Sequence, residues 1–344
     1  MYKWGRFLCS AKFQSTRPIT VAILDDGFDL TRPSIKENFK GTPGVSFQPS
    51  GVKHYKSGVA VGYKSHGTIM AYCVKQMFPQ VRILPIRIKT GDRRNTASQS
   101  FSPFDVIEAL EFIAKLEYHV DIVNMSWTIE FPPSFNPQYS SARGDNDETY
   151  KLYSKLQNAM NALIMKKIIL LCATSDKGRN AASRNVPVYP GAFGFHNPDI
   201  LTIGSASSDG DRSKPAYTPV HFIFPGERVT LEPDLGEASG SSVATAIASG
   251  MAASILFLVD LVERERDRFD GEVVQRDKVT TSMIRDAFTA LDGSPTQTLE
   301  VLQFRRELGE MCKINGFEAD GDRLSRRWLA MSKRLLRILG LATY

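Results

Sequence analysis

The chain has 344 residues, of which 42% are hydrophobic and 23% charged, an ordinary composition for one large globular domain or two small ones. No run reaches the roughly 18 apolar residues that a membrane-crossing helix needs, and the longest apolar stretch, around 251–261, is interrupted by Ser254 and Asp260, so no transmembrane segment is expected. The net charge is +6, but acidic and basic residues are interspersed, which does not point to nucleic acid as a partner.

The first twenty residues carry Lys3, Arg6, Lys12 and Arg17 and no acid. They lack the apolar core, about 7 to 15 residues long, of a secretory signal. An intracellular location is therefore expected, with an organelle transit peptide or a polar tail as the two readings of the start. Cys9, Cys73, Cys172 and Cys312 are far apart and lack metal-site spacing, so they read as reduced thiols, in keeping with the same location.

From Thr20 onward short β-branched runs alternate with helical stretches, the pattern of a mostly parallel sheet covered by helices. Strands are predicted at 21–24, 82–88, 122–125, 168–172 and 200–204, each nearly all apolar, as strands buried on both faces must be. Between them, 104–117 places Val106, Ile107, Leu110, Ile113 and Ala114 on one helical stripe, and 150–165 does so less cleanly. The stretch 131–149 is too rich in Pro, Ser, Asn and Asp for either element and reads as a surface insertion. Near the end, 322–340 sets Leu324, Trp328, Met331, Leu335 and Ile338 against Arg323, Arg326, Arg327, Lys333, Arg334 and Arg337. That is a basic amphipathic helix, expected either to dock on the domain or to meet an acidic partner or membrane surface.

Three motifs carry chemistry. Residues 21–29, Val-Ala-Ile-Leu-Asp-Asp-Gly-Phe-Asp, end a buried strand in two carboxylates and a glycine, where α/β active sites form. Residues 65–71, Ser-His-Gly-Thr-Ile-Met-Ala, put a histidine at the start of an apolar helix. Residues 240–246, Gly-Ser-Ser-Val-Ala-Thr-Ala, put a hydroxyl at the start of an alanine-rich helix, whose free N–H groups can face an oxyanion. Each alone has an ordinary explanation: an Asp-Gly turn, a structural histidine, a capping serine.

Together, in the order Asp, His, Ser, they resemble the subtilase family of serine proteases. Residues 21–29 look like its Val-Ala-Val-Ile-Asp-Thr-Gly-Ile-Asp motif, residues 66–71 match His-Gly-Thr-x-x-Ala, and 240–246 are similar to Gly-Thr-Ser-Met-Ala-Thr-Pro. The stretch 120–127 looks like the family strand that ends at the substrate pocket, Val-Tyr-Pro-Gly at 188–191 and Phe-Pro-Gly-Glu-Arg-Val at 224–229 look like its later loops, and 278–291 like its last core helix.

The resemblance implies a three-layer αβα fold of class α/β and a serine endopeptidase. In it Ser242 is the nucleophile, His66 the general base and Asp25 the residue that orients the base. Asp26 and Asp29 are then structural. Ser126, Trp127 and Thr128 would contact a protein or peptide substrate, and Asp176 would stand at the oxyanion hole. No cofactor is implied; calcium occurs in the family, but nothing here matches a calcium loop. The implied division is a tail at 1–18, a peptidase domain at 19–292 and a helical extension at 293–344.

Several positions depart from the family pattern. Asp176 stands where a side-chain amide usually donates to the oxyanion. Ser241 replaces Thr, Val243 Met, Ala246 Pro, and Thr128 a pocket glycine. No folding prodomain is expected before Val21. A subtilase fold that has lost activity and serves as a binding or regulatory module is thus the alternative reading. An α/β-hydrolase esterase fits less well, because its order is Ser, Asp, His and Gly-Ser-Ser-Val-Ala lacks the closing glycine of its elbow. A zinc hydrolase fits least, for want of His-Glu-x-x-His.

Overall fold

The computed structural model describes residues 17–42, 44–47, 54–55, 65–88, 101–117, 119–132, 135, 137, 148–176, 187–207, 209–211, 213, 220–265, 272, 274–291, 332–333, 336–337 and 339–342. The chain opens with β1 (Thr20–Asp25), β2 (Val45–Phe47) and β3 (His54–Tyr55), then α1 (His66–Met77), β4 (Arg82–Ile88) and α2 (Pro103–Lys115). There follow β5 (Ile122–Met125), β6 (Ile129–Glu130), α3 (Glu148–Met165), β7 (Ile169–Ala173) and β8 (Val188–Tyr189). The last elements are β9 (Leu201–Ala206), β10 (Phe222–Pro225), β11 (Val229–Thr230), β12 (Glu237–Ala238), α4 (Ser241–Arg264) and α5 (Thr281–Leu291).

Eight strands form one sheet in the order β10-β9-β7-β5-β1-β4-β2-β3, parallel throughout except where β3 runs antiparallel to β2. Every residue of β1 is buried, and its alternation assigns Val21 and Ile23 to the hydrophobic core on one face and Ala22 and Leu24 to that on the other. The first face is covered by α1, α4 and α5, the second by α2 and α3. The fold is therefore a three-layer αβα sandwich.

Strand order reverses at β1: β4, β2 and β3 lie to one side, β5, β7, β9 and β10 to the other. In open α/β sheets such a reversal opens a crevice at the carboxyl ends of the strands. Asp25, the last residue of β1, stands at its mouth.

α4 is long and apolar enough to cross a membrane by length and composition, but 94% of its most apolar window is buried inside the fold. It is the central core helix, and Ser254, which interrupts the apolar run, donates within the core to the carbonyls of Met77 and Gly250 (both 3.1 Å).

The predicted strands are all present: β4 and β5 have the predicted ends, and the ends of β1, β7 and β9 are shifted by one or two residues. Of the other strands in the main sheet, β2, β3 and β10 were not predicted. β2 and β3 have three and two residues, too few to show a period. β10 closes on Pro225 at the sheet edge, where a residue without an N–H costs no ladder hydrogen bond. Of the basic segment 322–340, residues 322–331, 334, 335 and 338 lie outside the described residues. Leu336 and Leu339 are buried in the main core, and just beyond them the Leu341 carbonyl accepts from Val274 N–H (3.1 Å). Cys73 and Cys172 are buried free thiols, and burial pushes the pKa of both well above the ordinary thiol value. Cys9 and Cys312 lie outside the described residues.

Candidate active site

The crevice is built from three backbone pieces. The end of β1 brings Asp25, fully buried, to the ring of His66: Nδ1 lies 2.8 Å from Oδ1 and 2.9 Å from Oδ2. With Nδ1 committed as donor to the carboxylate, the neutral ring presents Nε2 as an acceptor. Burial raises the Asp25 pKa and the Asp26 charge adds to that, while His66 and the Asp26 N–H (2.8 Å) pull it back down. His66 is 26% exposed, so the base reaches solvent and the acid behind it does not.

The neighbouring residues show why the motif needs this sequence. Asp26 accepts from the His66 and Gly67 backbone N–H groups (3.3 and 3.0 Å), which are orphan donors at the start of α1. Ser65 caps the same helix, accepting from Thr68 N–H (3.3 Å) and donating to the Gly27 carbonyl (2.9 Å). Thr68 Oγ1 accepts from Asp29 N–H (2.8 Å). A Cβ at Gly67 would lie 2.4 Å from the Gly27 carbonyl oxygen and 2.9 Å from Asp25 Cβ, so only glycine lets the histidine helix approach the end of β1 this closely.

The second piece is the start of α4. Gly240, at φ 129°, is in a conformation that favours glycine, and a Cβ there would meet Asp176 Oδ2 at 2.8 Å. Ser241 is buried, and its N–H lies 3.1 and 2.9 Å from the Asp176 oxygens. Its Oγ lies 2.6 Å from the Thr174 carbonyl and 3.0 Å from Asp176 Oδ2. Ser242 follows in the first turn, half-buried. Asp176 keeps an exposed side, yet the protein crowding its carboxyl raises its pKa by desolvation. The Ser241 N–H and the charge of His66 act in the opposite direction. His66 and Asp176 are thus near enough to interact, and Asp176 in turn touches the residue before Ser242.

The third piece is the end of β5. Ser126 Oγ lies 2.9 Å from Asn124 Oδ1 and 3.0 Å from the Ser242 carbonyl, and Asn124 Nδ2 donates to Ser249 Oγ (3.0 Å). Trp127 Nε1 donates to the Leu24 carbonyl (2.7 Å) and its ring packs on Phe101 (centroids 5.4 Å). Ser126 and Trp127 are 1% and 5% exposed, whereas Thr128 is half-buried. Of the three, Thr128 therefore has the most accessible side chain. Asn124, Ser249 and Thr174, which lock these pieces together, were not singled out in the sequence. The visible signal was an amide in the otherwise apolar run Ile-Val-Asn-Met. Among the described residues, no group of three His, Cys, Asp or Glu side chains is placed to hold a metal ion.

Residues 16–289 match the sequence profile of the subtilase family of serine peptidases. The chain belongs to the subtilase family. It is a subtilisin-type serine endopeptidase by that membership. This subtilase is 22% identical over 259 residues to the "Major intracellular serine protease" of Bacillus subtilis (strain 168), covering 71% of this chain and 70% of that protein. Among solved structures it resembles a lanthipeptide protease (TM-score 0.58, 18% identity, 82% of this chain and 83% of that one). It also resembles a cold-adapted subtilisin-like serine proteinase (TM-score 0.51, 17% identity, 84% and 88%). These likenesses bear on the fold, which this subtilase shares.

Proposed function

We propose that Asp25, His66 and Ser242 form the catalytic triad and that the protein hydrolyses internal peptide bonds through an acyl-enzyme. The observation that carries this reading is the hold of the buried Asp25 on His66 Nδ1, which fixes the tautomer a general base requires. In the first step Ser242 Oγ attacks the scissile carbonyl carbon as its proton passes to His66 Nε2, giving a tetrahedral oxyanion and an imidazolium faced by Asp25. The C–N bond then breaks, and His66 returns the proton to the leaving amine. Water attacks the ester by the same route, with its proton again taken by His66, and frees Ser242.

The Ser242 N–H, at the positive end of α4, would donate to the oxyanion. Thr128 and the backbone of 126–128 would line the substrate channel. Thr128, a branched residue, would narrow the pocket and favour a small side chain beside the scissile bond. The relative from Bacillus subtilis is named intracellular, which supports the same location for this chain.

The test is a fluorophosphonate probe on the folded protein, read by peptide mass spectrometry and paired with hydrolysis of an unfolded protein substrate. Labelling confined to Ser242, lost together with hydrolysis in Ser242→Ala, is expected. A folded protein that neither labels nor hydrolyses would overturn the proposal and leave a subtilase-fold binding module.

A further inference from the structure

The hydrogen bonds around Ser241 do not balance while Asp176 is ionised. Ser241 Oγ has one proton and two close oxygens, the Thr174 carbonyl at 2.6 Å and Asp176 Oδ2 at 3.0 Å. The carbonyl brings no proton of its own, and 2.6 Å is at the short end of an O–H···O bond, so the hydroxyl proton lies on the line to Thr174. That leaves a lone pair of Ser241 Oγ facing Asp176 Oδ2 at 3.0 Å. Two lone pairs at that distance repel unless a proton lies between them, and among the described residues the carboxyl is the group placed to supply it.

We propose that Ser241 is a positioning residue whose hydroxyl, fixed on the Thr174 carbonyl, accepts a hydrogen bond from a protonated Asp176 and so holds Asp176 as a neutral carboxylic acid. The proton stays on the carboxyl and no bond is broken. The acid then bonds in two directions. Oδ2–H donates to Ser241 Oγ at 3.0 Å, and Oδ1 accepts the Ser241 N–H at 3.1 Å, with the same N–H 2.9 Å from Oδ2.

Other surroundings pull both ways, and the Ser241 N–H on the carboxyl favours the ionised form. Desolvation favours the neutral form. His66 from α1 opposes it when charged, but His66 is already paired with Asp25 of β1. Asp26 lies behind that pair at the start of α1. Gly240 has no Cβ, which at 2.8 Å from Oδ2 would displace the carboxyl from Ser241. The inference deepens the proposed triad: a neutral Asp176 leaves the start of α4, where the oxyanion of the Ser242 adduct would form, without a fixed negative charge.

The experiment reads Asp176 itself, apart from activity. In the Ser242→Ala protein, infrared difference spectra against Ser242→Ala/Asp176→Asn isolate the Asp176 carboxyl stretch as pH is raised. A protonated-acid band persisting well above the ordinary aspartate range is expected. Adding Ser241→Ala should move its disappearance down by on the order of one pH unit, while Ser241→Thr, which keeps the hydroxyl, should not. If Ser241→Ala does not fold, Ser241→Cys serves, since a thiol is a weak acceptor. Absence of the band near neutral pH, or its loss at the same pH with and without the hydroxyl, overturns the inference. Hydrolysis and probe labelling by the protein with Ser242 intact decide the triad separately, so either reading can fail without the other.

Discussion

Gly250 of α4 meets the last turn of α1 so closely that a Cβ on it would sit 2.5 Å from the Val74 carbonyl oxygen and 2.6 Å from Met77 Cβ. These two helices begin at Ser241–Ser242 and at His66, so their packing distance sets how Ser242 and His66 approach each other. Gly250→Ala gains about 1 kcal/mol of helix propensity. It must also push a backbone oxygen aside in a close-packed core, where overpacking costs about 1–3 kcal/mol. The clash wins because its nearest partner is backbone and cannot rotate away. A lower melting temperature and a reduced kcat are expected, with Gly250→Val worse on both.

The adjacent carboxylates at the end of β1 have separable roles. Asp25 holds the His66 ring, while Asp26 accepts from the His66 and Gly67 backbone N–H groups. Asp25→Asn should therefore leave the melting temperature nearly unchanged and lower kcat by about 10⁴-fold, the loss that follows when the base is held in the wrong tautomer. Asp26→Ala removes helix capping worth roughly 0.5–2 kcal/mol, so thermal unfolding should shift down with only a modest loss of turnover. Thermal melts and kcat of the two variants check this, and equal kinetic losses would contradict the division.

Much of this was legible in the sequence because the constraints are local. Buried strands need unbroken apolar runs, so the parallel sheet could be read directly, whereas Gly67 and Gly240 are constrained by Gly27 and Asp25 and by Asp176, which lie far from them along the chain. The edge strand Phe222–Pro225 could not, since four residues ending in proline carry no period. Nor could Ser126 bonding the Ser242 carbonyl, which joins positions 116 residues apart. Such partners are set by how the sheet brings distant strand ends together. Ser241 shows the same limit: it reads as a small replacement for threonine, but its bonds to Thr174 and Asp176 depend on a loop some 65 residues earlier.

At the pole of the sheet away from the crevice, Arg276 donates to both oxygens of Asp121 (2.9 Å each), with both side chains at most 4% exposed. Burial alone would raise the Asp121 pKa, but the His119 hydrogen bond, the Arg276 charge and the Thr20 N–H (2.8 Å) hold it below the ordinary value. A depressed carboxylate contributes stability above its unfolded pKa, about 3.9, and that contribution disappears as pH falls through the lower folded value. Acid unfolding below about pH 4 is expected to include this pair. Removing one partner of a buried pair costs about 3–5 kcal/mol, so Arg276→Leu should unfold at markedly lower denaturant at pH 7, with the difference from the parent shrinking toward pH 3. Chemical denaturation at several pH values reads both effects, and a pH-independent difference would contradict the assignment.

Asp176→Asn tests what the carboxyl does for the reaction. If Asp176 must be neutral, turnover of the parent requires a pH high enough to free His66 and low enough to keep Asp176 protonated, and the two demands narrow its usable window from opposite sides. The amide of Asn cannot ionise, has nearly the same shape, and can still accept the Ser241 N–H through its oxygen. Its NH₂ group can donate to Ser241 Oγ and to a developing oxyanion, where one donor contributes roughly 3 kcal/mol, or about 10²-fold in rate. The variant should therefore keep or exceed the parent's kcat/KM near neutral pH. The alkaline limb due to Asp176 should vanish while the acidic limb due to His66 remains. Profiles of kcat/KM against pH for both proteins on one peptide substrate decide it. If Asp176→Asn is folded but much less active at every pH, the site needs a carboxyl at this position, and the placement of Asp176 at the oxyanion fails.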